Sequence, residues 1–129
     1  MKLFPILSSL TLFILVGCDA GTPKCNSEDA KNLVIKIAQE KIDKRLSLTG
    51  DLSKSEDIKS SVINVRTTSH NTKLDIYQCS ADFELSSINK GAIPITYEIQ
   101  KTDDDDQFYI NVYGLNQPLY ILINKVMRN

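Results

Sequence analysis

The sequence has no tryptophan, one histidine and three cysteines, and its 15 basic residues nearly balance 16 acidic ones. A single histidine argues against histidine-based acid–base chemistry and against a multi-histidine metal site. A formal net charge of −1 provides no basic surface for nucleic acid, so no nucleic-acid partner is expected. No C-x-x-C, G-x-S-x-G, zinc spacing, P-loop or dinucleotide fingerprint occurs. No residue is therefore assigned a catalytic or metal-ligating role, no cofactor is expected, and the chain reads as a non-enzyme. Internal repeats are absent too, and 129 residues suffice for one domain.

What is present begins with an address. Residues 1–17 read MKLFPILSSLTLFILVG, with Lys2 as the sole charge. Pro5, Ser8 and Ser9 interrupt an apolar stretch already too short for a good transmembrane helix. A basic start, an apolar core and small residues at its end are the layout of a secretory signal. The core closes in Leu15-Val16-Gly17-Cys18, which resembles the lipobox of bacterial lipoproteins. The resemblance covers residues 1–19. It implies that the Cys18 thiol receives a diacylglycerol, that residues 1–17 are removed, and that the new amine is acylated. It also implies a lipid-anchored protein of the bacterial cell envelope, facing the periplasm. Asp19 resembles the acidic residue that retains some such proteins in the inner membrane. An ordinary secretory signal or an uncleaved anchor are the alternatives. Loss of residues 1–17 takes Lys2 from the basic set and leaves 112 residues with a formal charge of −2. Residues 18–24 are expected to form a lipidated tether, and residues 25–129 a single α+β domain.

The domain reads as helix followed by sheet. Asn26 and Ser27 are candidate helix caps, and Glu28 and Asp29 suit the first turn. Ala30, Leu33, Val34, Ile37 and Ala38 repeat at helical spacing, continued by Ile42 and Leu46. The spacing predicts a helix from Ser27 to Leu46, stopping near Thr49-Gly50. Residues 51–61 are polar and predicted as loop, 62–68 as strand and 69–71, with His70, as turn. Tyr77, Cys79, Ala81, Phe83 and Leu85 alternate with polar residues, the mark of a half-buried strand. Ile93 to Lys101 and Phe108 to Tyr113 repeat the pattern. Asp103 to Asp106 reads as a solvated turn between them; four adjacent carboxylates cannot readily converge on one cation. A long N-terminal helix on a four-stranded antiparallel sheet resembles cystatin-like and NTF2-like folds in architecture alone.

Two candidate features remain. Cys25 precedes the helix and Cys79 faces inward, so the two can meet if the helix packs on that face; export permits oxidation. Two free thiols, or one catalytic thiol, are the alternatives. Tyr109, Asn111 and Tyr113 point opposite to Phe108, Ile110 and Val112, which makes them a candidate binding surface. Residues 118–127, as a short helix or a strand, are expected to cover them, or the face to self-pack, with an open binding face as the alternative. The leading functional expectation is a non-enzymatic protein-binding module at the envelope, with an inhibitory, immunity, exclusion or assembly role and an envelope protein as partner. The alternative is a carrier of a small ligand or lipid in a pocket between helix and sheet.

Overall fold

A computed structural model describes residues 21–50, 58–85, 92–104 and 107–128. The leader, Cys18 and Asp19 lie outside the described residues, as do residues 51–57 of the polar loop and Asp105 and Asp106. The fold is α+β, a four-stranded antiparallel sheet with two helices.

Helix α1 spans Glu28–Thr49. Ser27 caps it: its hydroxyl accepts from the Ala30 amide at 3.2 Å, satisfying one of the free donors of the first turn. Gly50 ends it with φ 80°, and its amide donates to the Leu46 carbonyl. That left-handed turn stops the helix at the predicted Thr49-Gly50. Ala30, Val34, Ala38, Ile42 and Leu46 recur every fourth residue and are wholly buried. The two alanines let the helix approach closely, while Val34, Ile42 and Leu46 each contribute about 1.5–3 kcal/mol by burial.

The strands are β1 (Ser60–Asn71), β2 (Ile76–Leu85), β3 (Ala92–Lys101) and β4 (Phe108–Tyr113), in the spatial order β1-β2-β3-β4. Cys79, Ala81, Phe83 and Leu85 of β2 and Ile93, Ile95, Tyr97 and Ile99 of β3 are buried. They form one core cluster with the apolar stripe of α1. Strand β1 is longer than predicted, and the turn falls at 72–75 rather than 69–71. Local polar contacts explain the shift. The Asn71 side chain accepts from the amides of Lys73 and Leu74, both at 3.1 Å, and so closes the turn. His70 is consequently a strand residue. Its ring stacks on Tyr77 at 3.9 Å, and its Nε2 lies 2.9 Å from Asp75.

Helix α2 spans Asn116–Met127. Gly114 delivers the chain to it with φ 97°, where an added Cβ would sit 2.9 Å from the Pro94 carbonyl oxygen. Leu119, Leu122 and Ile123 are buried, so the apolar residues at helical spacing face the core. Asn116 accepts from Lys41 at 3.1 Å, and the Arg45 guanidinium lies 5.0 Å from the Tyr120 ring centroid. Both contacts tie α2 to α1.

The N-terminal approach to α1 is fixed to the sheet at three points. Cys25 and Cys79 form a disulfide, S–S 2.04 Å. The Tyr97 hydroxyl donates to the Cys25 carbonyl at 2.6 Å. The Thr22 amide donates to the Asp75 carboxylate at 2.8 Å. Within the segment expected as a tether, Thr22 is buried and bound to the domain, while residues 18–20 lie outside the described residues. Among the described residues, no helix is long and apolar enough to cross a membrane.

Candidate functional site

The sheet has two faces of opposite character. Its inner face is filled by α1. Its outer face carries the alternate residues of each strand, and the register places three rows of them across all four strands. Arg66, Ser80, Thr96 and Tyr113 lie side by side across the four strands. The next row is Ser69, Gln78, Glu98 and Asn111, and the third is Asn71, Ile76, Gln100 and Tyr109. Short local bonds hold several of these side chains. The Tyr109 hydroxyl donates to Gln100 at 2.6 Å, and Gln78 donates to Glu98 at 2.5 Å.

Tyr109 and Tyr113 are 42% and 57% exposed. The expectation that residues 118–127 cover them is therefore corrected. Helix α2 buries Leu119, Leu122 and Ile123 and binds to α1, leaving the outer face of β4 open. The glycine turn at 114 is the cause, since it turns the chain across the Pro94 backbone to α2, which packs against α1. Asn111, between the two tyrosines, is also exposed.

Strand β4 is an edge strand, and among the described residues no strand pairs with its outer side. Edge strands are commonly protected by lysine, proline or a bulge. Phe108-Tyr109-Ile110-Asn111-Val112-Tyr113 has none of these, and its pairing with β3 runs without a register break. Strand β1, the opposite edge, has such protection. Asn64 adopts φ 52° at a bulge, and its side chain donates to Asp82 at 2.9 Å. Grooves flank β4 on both sides. On the outer face, Arg66, Ser80, Pro94, Thr96 and Tyr113 line an open groove of about 370 Å³. On the helix side, Leu33, Lys36, Asn32 and Phe108 line an open shelf of about 470 Å³. An aromatic strand whose backbone edge is unpaired among the described residues, with grooves on both sides, can accept a flat or extended protein surface.

The remaining sequence candidates are distributed elsewhere. The disulfide joins the start of α1 to the inner face of β2 and takes no part in the open face. Asp103 and Asp104 are exposed in the turn after β3. Among the described residues, no group of three or more His, Cys, Asp or Glu is placed to hold a metal ion. Sequence reasoning missed Arg66, Thr96 and Gln100 as neighbours of the tyrosines. Alternation along β3 does place residues 96, 98 and 100 outward, but cross-strand register depends on a turn whose length the sequence leaves open.

Two titrating groups are shifted. The His70 hydrogen bond, followed by the Thr22 amide, lowers the Asp75 carboxyl below its ordinary 3.8. Burial pushes the Tyr97 hydroxyl up to about 12. Both groups hold the N-terminal approach in place and neither belongs to the open face.

Compared with known proteins, the chain matches no protein family, no curated protein and no solved structure.

Proposed function

We propose that this chain is a lipid-anchored, non-enzymatic binding module of the bacterial cell envelope, which engages another envelope protein through β4. The observation that carries the reading is the open edge strand with Tyr109, Asn111 and Tyr113 on its uncovered face. Tyrosine supplies a large contact area at low entropic cost and is enriched in protein interfaces. The anchor rests on the lipobox-like Leu15-Val16-Gly17-Cys18, with Asp19 favouring the inner membrane. Inhibition, immunity, exclusion and assembly are the roles such a module serves.

The expected resemblance to cystatin-like and NTF2-like folds rests on element order alone, and the carrier reading follows from it because such sheets can curl into a pocket between helix and sheet. Here that space is occupied by Val34, Ala38, Phe83, Ile95 and Tyr97, all at most 2% exposed. This occupancy favours a surface binder over a carrier. Gentle detergent extraction of the lipidated protein, followed by native mass measurement, tests the choice. A protein bound in fixed ratio and lost from Tyr109→Ala/Tyr113→Ala supports the module. A small apolar molecule that stays with both forms supports the carrier instead. The Cys18→Ser form reads the anchor and should be unprocessed or released from membranes.

A further inference from the structure

We propose that the β1–β2 turn, Asn71–Asp75, is a membrane-docking tip that rests in the headgroup layer of the bilayer holding Cys18. This rests on the lipid-anchor reading above. The first described residues leave the domain at this turn. The Thr22 amide donates to Asp75, and a Cβ on Gly21 would lie 3.1 Å from the same carboxylate. Only Asp19 and Ala20 separate Gly21 from Cys18, so even a fully extended chain spans roughly 10 Å. Each polar layer of a bilayer is itself roughly 5–7 Å thick. The turn therefore cannot leave the surface while Cys18 is anchored and Thr22 is docked.

The composition of the turn suits that position. Leu74 is 66% exposed, one of the most exposed large apolar residues described. Lys73 beside it is exposed and presents an ammonium to lipid phosphates. The backbone is also prepared, because Asn71 already satisfies the amides of Lys73 and Leu74. No bare donor from these two residues enters the interface. The other turn at this end of the sheet carries the exposed Asp103 and Asp104, two strand spacings or roughly 10 Å away. Phosphate repels these two carboxylates, whereas the Asp75 carboxylate of the β1–β2 turn is engaged by the Thr22 amide and His70 and is offset by the Lys73 charge. The domain therefore tilts with the β1–β2 side lowest. The strands then run steeply to the membrane, and the outer face of β4 looks sideways, toward a partner in the same membrane.

The test uses lipidated protein reconstituted into vesicles of phosphatidylethanolamine and phosphatidylglycerol, part of it brominated near the top of the acyl chains. Leu74→Cys, Asp104→Cys and Leu48→Cys each carry a fluorophore on their one free thiol. Leu48, 74% exposed near the far end of α1, is the distal control. Bromolipid should remove about half of the emission at 74, since an interfacial side chain sits roughly 5–10 Å into the headgroup boundary. Quenching should be weaker at 104 and absent at 48, and Lys73→Glu should reduce it at 74. Equal emission at 74 and 48, in protein whose mass shows lipid on Cys18, overturns the docking while leaving the anchor intact. Protection of 74 from an aqueous quencher without bromolipid quenching also overturns it, because a protein then covers the turn. A mature chain carrying no lipid mass removes the anchor and this proposal together.

Discussion

Breaking the Cys25–Cys79 bond should cost this domain about 4 kcal/mol. The cysteines are 54 residues apart, and the chain-entropy relation for a closed loop of that size gives this figure. The loop encloses α1, β1 and the first residues of β2, so opening it frees these segments in the unfolded chain. Domains of this size have total stabilities of about 5–15 kcal/mol, which makes the change a large share. Urea unfolding of residues 19–129, oxidised and after reduction in denaturant, measures it. With a slope of about 2 kcal/mol per M, the midpoint should fall by about 2 M. Cys25→Ala/Cys79→Ala should fall slightly further, since each cysteine is 1% exposed and truncation leaves a small void. A loss below about 1 kcal/mol in the reduced protein would show that the unfolded chain already holds these segments together, and would refute the entropic reasoning.

Three further outcomes are expected. Tyr109→Ala and Tyr113→Ala should each cost less than about 1 kcal/mol by urea unfolding, against about 3–5 kcal/mol for the fully buried Phe83→Ala; equal losses would mean that the open face is structural. Gly114→Ala should destabilise by more than about 1 kcal/mol, because it combines φ 97° with a Cβ 2.9 Å from the Pro94 oxygen; an unchanged midpoint would contradict that geometry. Tyr97 stays neutral in the fold up to about 12 while the unfolded chain ionises near 10.0. Its stabilisation is therefore complete below pH 10 and lost as pH rises toward 12, by about 2–3 kcal/mol, and Tyr97→Phe should flatten this alkaline limb in a pH series of unfolding midpoints.

The sequence patterns that proved legible are those set by local periodicity. The fourfold spacing from Ala30 to Leu46 needs only α-helical geometry, and Ser27 and Gly50 mark its ends through their own side-chain and backbone chemistry. Alternation in β2, β3 and β4 likewise reveals which residues face inward. The length of β1 was hidden because its outer half is exposed and carries no hydrophobic pattern; the Asn71 side chain and the His70–Tyr77 stack define it. The open state of Tyr109 and Tyr113 was hidden for a different reason. The periodicity of residues 119–126 shows an apolar face but not which surface it meets, and that choice is made by one glycine turn. The docking of Thr22 on Asp75 is a contact across 53 residues between two polar groups, for which a sequence carries no pattern at all.

Site-specific photocrosslinking in the native envelope tests the proposed binding face most directly. A photoreactive phenylalanine analogue replaces Tyr109 or Tyr113 in turn, with Leu48, exposed near the far end of α1, as the control position. Both tyrosine positions should yield the same discrete adduct with one envelope protein, and position 48 should yield none. Adducts at 48 equal to those at 109 and 113, or no adduct at either tyrosine in correctly anchored protein, would contradict a binding face on β4.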